Sequence, residues 1–482
     1  MTNEEFFYWL EQGGRRTALV EVDTDTPHYM STIPFTSLPT DTVPNRSYLP
    51  VVSKSFPFSE KLSLSSTPSI SVGTIDLHNE DSALDTWLDE VWVNRAIRVY
   101  IGDVRWPRND FRLVFDGIVA KLSESRLGML SIVLRNKLER LNTPVTDAIL
   151  GGTTSNKDRI LPNMFGENHN VTPLLVDPAN HEYMYNNGES ERLIEVRDNG
   201  VPTTTVTHYP AVGKFRLTSS PVGQITCSAQ GSTPYNPTVS GIVKALVTGY
   251  GTPTERLTTL DLDLTNLSDF ETECPQPVGI NISDRANVLQ CCQDIASSVG
   301  GQIVMSSEGK LRIVRIKLPG TGVPFVIEPK DYEDKSLSIS ERTEVISGVK
   351  LGYCKNWSMQ QDLETGIPAE HRELYAQEYL SVTQRDSAVA STYRLYADPK
   401  QEDTLLLRAI DAQAEANRRL QLWKTQRTVF KLKGYAHLFR LELAQAVTLI
   451  GSRYGLSGGR SGIVLSKETD WIAGRVTIEV LI

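Results

Sequence analysis

The stretch that decides the fold is 96–141, AIRVYIGDVRWPRNDFRLVFDGIVAKLSESRLGMLSIVLRNKLERL. It holds three runs rich in β-branched and aromatic residues, 96–104, 111–122 and 128–141, and turn-forming residues separate them. Each run is long enough for a strand of about 20 Å. Upstream, six prolines between positions 27 and 57 disfavour helix. The range 1–150 therefore predicts a β-rich domain with antiparallel strands.

The next range, 151–235, predicts a small inserted β domain. It opens with the glycine-rich GGTTSNKDR, and Asn199-Gly200 stands between two β-prone runs. Asn-Gly at this spacing is a strong signal for a tight hairpin. The run GKFRLTSSPVGQITCSAQG, residues 213–231, predicts a second hairpin with Pro221 and Gly223 near its turn.

Between 236 and 355 the apolar period changes, which predicts an α+β domain. Ser283 is expected to cap a helix that Gly300-Gly301 ends. The apolar positions of this helix are Ala286, Leu289, Ile295 and Val299. A strand, a turn at 307–310 and a second strand follow, so we expect a helix beside a hairpin.

The last range, 356–482, predicts an arm segment, a long helix and a small closed or partly closed β module. Residues 403–430 contain no Gly or Pro and are rich in helix formers. One apolar stripe of this helix is predicted to comprise Leu406, Ala409, Ala416, Leu420 and Trp423. We expect this stripe to be either part of the core or part of a subunit interface. The arm, 358–400, carries amphipathic aromatics of the kind enriched at interfaces. The candidate interaction residues are Tyr375, Tyr379, Tyr393, Tyr396 and Trp423.

The composition is that of an ordinary globular protein, with 40% hydrophobic and 22% charged residues among 482. At roughly 150 residues per domain, this length predicts several domains. No apolar run of about 18 residues is present, so we expect no integral membrane segment. The acidic start lacks the features of an export signal. Five cysteines without a C-x-x-C pair are expected to be free thiols in a reducing cytoplasm.

The formal net charge of −9 disfavours the gripping of a phosphate backbone, which depends on Lys and Arg. We therefore expect no sequence-specific nucleic-acid partner. An acidic wall past which DNA slides without sticking is compatible with this charge, and a DNA conduit stays a hypothesis.

One string has the form of a catalytic motif. Residues 455–459 read G-L-S-G-G and fit the serine-hydrolase elbow, but the chain after Ser457 is strand-like and the last histidine, His437, lies upstream. A glycine-rich hairpin turn is the better interpretation. Asp23 and Asp25 are spaced to share a hard cation, yet no third acidic ligand follows and Pro27 interrupts. We expect a solvated turn there.

Other sequence signatures of chemistry are absent. The seven histidines include no H-E-x-x-H and no pair at ligand spacing, and the nucleotide-binding motifs are missing. We therefore expect no catalytic residues, no metal site and no cofactor. The two catalytic carboxylates of a glycosidase are defined by their distance in space, so their spacing in the sequence does not reveal them. A cell-wall-degrading activity therefore stays an alternative.

Several segments, in order along the chain, resemble hub proteins from the tail tip or baseplate of long-tailed, noncontractile (siphovirus-type) bacteriophages and of related gene-transfer particles. In the N-terminal part, the resemblance includes a predicted strand with the pattern Phe115-x-Gly117-x-Val119. The segments are YMSTIPFTSLPTDTVPNRSYLPVV (29–52), GTIDLHNEDSALDTWLDE (73–90), VYIGDVRWPRNDFRLVFDGIV (99–119), LPNMFGENHNVTPLLVD (161–177), EVRDNGVP (195–202), KFRLTSSPVGQIT (214–226) and ELAQAVTLIGSRYGLSGGRSGIVLS (442–466).

The resemblance implies a mainly β, multidomain tail-hub architecture with α+β elements. It implies a homotrimeric ring that closes the tail tube beneath a distal tail protein, holds central or side fibre or tip proteins, and meets the tape measure protein. It places the protein at the virion tail tip after synthesis in the host cytoplasm. Some such hubs carry fused peptidase or fibre domains, which we do not expect here.

Taken together, we expect a structural subunit rather than an enzyme. Two alternatives stay open, namely a tail-associated cell-wall hydrolase with an unrecognised carboxylate pair and a receptor-binding tail protein.

Overall fold

The computed structural model describes residues 2–64, 73–360, 363 and 365–482. Parts of two predicted regions lie outside the described residues: 65–72 of the N-terminal β domain, and 361, 362 and 364 of the arm. The chain is mainly β with several α-helices, as the sequence predicts.

The N-terminal strands are β1 (Thr17–Val22), β2 (His28–Ser31), β3 (Phe35–Thr36), β4 (Ser47–Tyr48), β5 (Phe58–Lys61), β6 (Thr74–His78), β7 (Ala96–Gly102), β8 (Arg112–Arg126) and β9 (Met129–Arg135). The middle strands are β10 (Asn163–Val171), β11 (Leu174–Asp177), β12 (Glu182–Met184), β13 (Ser190–Asp198), β14 (Val201–Thr203), β15 (Val206–Tyr209), β16 (Lys214–Leu217), β17 (Ile225–Gly231), β18 (Gly279–Ile282), β19 (Gly301–Met305) and β20 (Leu311–Arg315). The C-terminal strands are β21 (Phe325–Ile327), β22 (Ser338–Arg342), β23 (Gly348–Tyr353), β24 (Leu380–Arg385), β25 (Gln401–Asp403), β26 (Thr428–Tyr435), β27 (Ala446–Leu449), β28 (Arg460–Asp470) and β29 (Arg475–Leu481). The α-helices are α1 (Asn3–Glu11), α2 (Val239–Gly249), α3 (Leu264–Glu273), α4 (Val288–Ser297), α5 (Ala369–Ala376), α6 (Ser387–Tyr393) and α7 (Ala409–Trp423).

The chain forms two compact units, each assembled from separate stretches. The first unit comprises 1–139, 304–344 and 426–482, and the second comprises 140–303 and 345–425. The four ranges predicted from the sequence do not correspond one to one to these units, because strands far apart in sequence pair within each unit.

A six-stranded antiparallel sheet, in the order β2-β1-β7-β8-β9-β6, dominates the N-terminal part of the first unit. The three strands predicted over 96–141 are confirmed as β7, β8 and β9. Residues 49–53 bond to both edge strands: Leu49 exchanges hydrogen bonds with β2, and Ser53 donates to Asp76 of β6. This segment therefore closes the sheet into a barrel, which removes the free backbone edges that an open sheet exposes.

A second sheet of the first unit combines strands from the C-terminal part of the chain with β5 from the N-terminal part. Its order is β21-β27-β28-β29-β26-β22, and β5 pairs with β28 although hundreds of residues separate them in sequence. One segment, 325–342, pairs with β27 at its start and with β26 at its end. This segment closes a second barrel, and the predicted C-terminal β module is part of it.

The N-terminal helix α1 was not predicted as a helix. Its start is a capping box, in which Thr2 Oγ1 accepts from the amide of Glu5 and the Glu5 carboxylate accepts from the amide of Thr2. Phe6 and Leu10 are buried in the core of the first unit. Phe6 and Leu10 thus form the buried face of a short helix, whereas Tyr8 of the same aromatic run is 65% exposed.

The second unit contains a five-stranded sheet, β14-β13-β17-β10-β18, and a four-stranded sheet, β11-β12-β16-β15. The predicted Asn199-Gly200 hairpin is confirmed between β13 and β14, and both residues have positive φ. The predicted hairpin over 213–231 is wrong. Its strands β16 and β17 belong to different sheets, because each finds longer pairing with another strand.

The helices of the second unit are shorter than the sequence predicts. α4 begins after Asn287, whose side chain accepts from two backbone amides, so the cap is not Ser283. The helix predicted over 403–430 spans only α7, since Leu406 bridges to Val278 and 428–435 forms β26. Gly300 adopts φ +72° after α4, as a helix-ending glycine does.

The stripe of α7 is partly core. Ala416 and Leu420 pack against Val349 and Leu351 of β23. Ala409 is exposed, and Leu406 is buried but precedes the helix. The core interpretation of the stripe is therefore confirmed for its central residues.

Replacing Gly166 by alanine is expected to destabilise the second unit by about 2 kcal/mol or more, because a non-glycine residue at left-handed φ is strained. Gly166 has φ +65°, and an added Cβ would stand 2.0 Å from the carbonyl oxygen of Val278. Gly249→Ala is the matched control, since nothing lies within 4 Å of its Cβ position. Thermal unfolding of both variants measures the difference, and equal stability would contradict the argument.

Candidate functional site

Two of the predicted interaction residues lie on an exposed, anchored segment of the second unit. Tyr393 ends α6 with 48% of its surface exposed, and Tyr396 follows at 70%. The segment is held by an ion pair between Arg385 and Asp398, and by the Ser347 hydroxyl, which donates to the Leu395 carbonyl at 2.8 Å. These two tyrosines therefore lie exposed on a segment that one hydrogen bond and one surface ion pair connect to its neighbours.

The other predicted residues are more buried. Tyr375, in α5, is 8% exposed, and the guanidinium of Arg197 lies 4.9 Å from its ring centroid. Tyr379 and Trp423 are half-buried. The predicted arm is thus two helices and a strand, and its tyrosines do not form one patch. Their role in interactions stays a prediction.

A cavity of about 480 Å³ lies in the second unit next to Tyr379. One wall is α4, which contributes Cys291 and Asp294, and another is the end of β18 with Asn281 and Asp284. The remaining wall comes from residues that follow β23 and from 403–405. Its lining includes Lys355, Trp357 and Asp403.

Burial sets the protonation of several groups in this cavity. Burial raises the pKa of the Asp294 carboxyl, although Gln290 donates to it at 2.7 Å and Lys355 opposes the rise. Burial also raises the pKa of the Cys291 thiol to about 12, so this thiol is protonated at neutral pH. The pKa of Tyr379 is raised by burial and by Asp403, Glu378 and Asp294. The Cys291 thiol is therefore not a thiolate nucleophile at neutral pH.

The sequence did not predict this cavity. Cys291 and Asp294 stand three residues apart on one helix, which is the only local signal. The other residues come from the adjacent 280–286 and from three distant segments, and only the folded chain brings them together.

The serine string at 455–459 lies in the connection between antiparallel strands β27 and β28. Gly455 and Gly459 have positive φ, as tight turns require. A strand, not a helix, follows Ser457, so the elbow geometry of serine hydrolases is not formed.

The two aspartates considered for a cation pair with arginines instead. Asp25 accepts from Arg95 at 2.6 Å, and Asp23 lies 3.3 Å from Arg98. No group of three or more His, Cys, Asp or Glu side chains in the described ranges is arranged to hold a metal ion. The five cysteines form no disulfide, and four of them are buried. Among the described helices, none is long and apolar enough to cross a membrane.

Comparison with solved structures finds several tail proteins. The 43 kDa tail protein of prophage MuSo2 from Shewanella oneidensis is similar over 97% of this chain and 98% of its own, at 10% identity and a TM-score of 0.42. A tail protein from Neisseria meningitidis is similar over 97% and 96%, at 10% identity and a TM-score of 0.44. A component of the Escherichia coli type VI secretion system, described as structurally similar to T4 bacteriophage tail proteins, matches 89% of this chain and 73% of its own, at 8% identity and a TM-score of 0.32.

No family model and no curated protein sequence matches the chain.

Proposed function

We propose that the chain is a structural subunit of a bacteriophage tail tip and that three copies form the hub that closes the tail tube. In this proposal the hub contacts the distal tail protein, the tape measure protein and the central or side fibre or tip proteins during host attachment and DNA ejection. The subunit acts through its surfaces and not through catalysis.

The main support for the proposal is the position, in the folded chain, of the segments that resemble tail hub proteins. Four of the seven segments, 29–52, 73–90, 99–119 and 442–466, belong to the first unit and contribute to its two closed barrels, and the other three belong to the second unit. A ring subunit needs rigid faces that make heterologous contacts around an axis. Closed barrels suit this role, because their backbone groups are paired within the subunit.

The expected assembly can be measured directly. Native mass spectrometry of the purified chain should give a species of three times 53.6 kDa, and negative-stain images should show a ring. Antibody labelling of intact particles should place the protein at the tail tip. A stable monomer that never enters virions would contradict the proposal.

Tyr393 and Tyr396 provide a test of the surfaces. The double variant Tyr393→Ala/Tyr396→Ala is expected to keep the thermal stability within about 2 °C, since exposed side chains contribute little to folding. Its incorporation into particles is expected to fall several-fold, because exposed tyrosines contribute disproportionately to interfaces. Tyr209→Ala, at a side chain 37% exposed in the second unit, is the control. Incorporation equal to that of the control would exclude these tyrosines from the assembly surface.

A further inference from the structure

The cavity beside α4 has the volume of a small-molecule site, about 480 Å³. Three aspartates and one lysine line it: Asp284, Asp294, Asp403 and Lys355. Anionic ligands are disfavoured by this excess of carboxylates. Within the described residues, no three carboxylate, imidazole or thiol groups converge as a metal site. The negative charge is thus spread over the wall, which suits an extended cation better than a single metal ion.

The aromatic wall of the cavity already holds an ammonium group. The Nζ atom of Lys355 lies 4.3 Å from the ring centroid of Trp357 and 5.5 Å from that of Tyr379. It also lies 3.6 Å from a carboxylate oxygen of Glu378. Aromatic faces attract cations through their quadrupoles. The chain therefore shows with its own lysine which kind of group these rings stabilise.

An independent observation concerns Asn281. This residue lines the cavity and is only 8% exposed, and its Oδ1 has no hydrogen-bond partner. A buried acceptor without a donor is costly. Together with the three aspartates, it gives the wall four side chains whose oxygens accept hydrogen bonds.

We propose that this cavity binds an organic cation that carries a primary ammonium or guanidinium group. Such a ligand supplies a donor for the Asn281 oxygen and adds positive charge to a wall in which three aspartates accompany one lysine. A neutral saccharide brings donors but leaves the carboxylate charge uncompensated. Two sources share this chemistry, namely a free polyamine and a basic side chain of a protein partner.

Calorimetric titration of the full chain tests the proposal with matched probes. Diaminopentane and spermidine represent free polyamines, whereas N-acetyl-lysine amide and N-acetyl-arginine amide represent basic side chains. Glucose and calcium chloride at equal ionic strength serve as comparison ligands. At least one amine probe is expected to bind, and neither comparison ligand is.

Variants assign the binding to the cavity. Asp294→Asn and Asp403→Asn are each expected to weaken amine binding by about tenfold or more, because each removes a charged hydrogen-bond acceptor. Asp269→Asn, at an exposed aspartate of α3 outside the cavity, is expected to leave the affinity unchanged. Lys355→Met is expected to strengthen binding several-fold, since it removes the competing ammonium group. Circular dichroism verifies that each variant is folded.

Three outcomes would overturn the proposal: no binding of any amine probe at millimolar concentration, equal binding of calcium or glucose, or the same affinity in the cavity variants and the Asp269→Asn control. Each outcome is independent of the oligomeric state, so the hub proposal stands or falls separately.

Discussion

Arg108→Ala is expected to lower the free energy of unfolding by about 3–5 kcal/mol, the usual cost of breaking a buried ion pair by removing one partner. Nε and Nη2 of Arg108 both donate to Oε1 of Glu21, at 2.8 and 2.7 Å. Both side chains are less than 10% exposed. The Tyr48 hydroxyl donates to the same oxygen at 2.6 Å, and the guanidinium lies 3.6 Å from the Tyr100 ring centroid. Without Arg108, the Glu21 carboxylate stays buried with Tyr48 but no compensating charge.

Arg98→Ala is the matched control for this prediction. Arg98 lies on the same sheet and pairs with Asp23 at 3.3 Å, but both side chains are more than a third exposed. Such surface pairs contribute about 0–1 kcal/mol. Urea unfolding of the two variants gives the comparison. A loss below about 1 kcal/mol for Arg108→Ala would show that water or relaxation compensates Glu21.

The double variant Glu21→Leu/Arg108→Met tests why Arg108→Ala is destabilised. The loss of stability comes either from the lost attraction within the pair or from the charge of Glu21 that stays buried without a partner. Apolar replacement of both partners is often close to neutral. We therefore expect the double variant to be more stable than Arg108→Ala. If it is less stable than Arg108→Ala, a buried unpaired charge on Glu21 is not the source of the loss in that variant.

The parts of the fold that could be predicted are those with local signals. Alternating β-branched residues over 96–141 gave three strands, and Asn199-Gly200 gave a hairpin, because turn chemistry acts between neighbours. A capping box at Thr2 and Glu5 was also readable, although α1 was not predicted from it. The pairing of β5 with β28 has no local signal, since hundreds of residues of sequence separate the two strands.

The cavity beside α4 could not be predicted from the sequence for the same reason. Its carboxylates and aromatic rings are contributed by separate segments, none of which has a recognisable motif. The predicted tyrosines, by contrast, were chosen by residue type alone. Exposure is a property of the fold, so residue type could not distinguish the buried Tyr375 from the exposed Tyr396.

The helix α7 contains a charged residue, Glu415, that is buried and does not face solvent. Glu415 of α7 is 6% exposed. Its oxygens accept from Nε and Nη2 of Arg418, at 2.7 and 2.8 Å, and from Nε of Arg419 at 2.7 Å. Arg419 also donates to the carbonyl of Ser297, after which α4 ends. Glu415 therefore holds both arginines, and one of them, Arg419, connects α7 to the end of α4.

Glu415→Gln is expected to destabilise the second unit by about 3 kcal/mol or more, since a neutral amide cannot compensate two largely buried guanidinium groups. Glu402→Gln is the control, because Glu402 pairs with the same Arg419 through a side chain that is 60% exposed. Hydrogen exchange of the α7 amides in increasing urea measures both variants locally. Equal protection in the two variants would show that burial of Glu415 has no energetic consequence.

The effect of Glu415 should also depend on pH. Burial acts to raise the pKa of Glu415, but hydrogen bonds and charges of Arg418 and Arg419 outweigh it and hold the pKa below its ordinary value. A carboxyl with a lowered folded-state pKa stabilises the fold fully above the unfolded-state pKa of about 4.3. That contribution is lost as pH falls through the lower folded-state value. The difference in stability between the native chain and Glu415→Gln should thus be constant above about pH 6 and shrink progressively below about pH 4. A difference that grows on acidification would contradict the ion-pair origin of the effect.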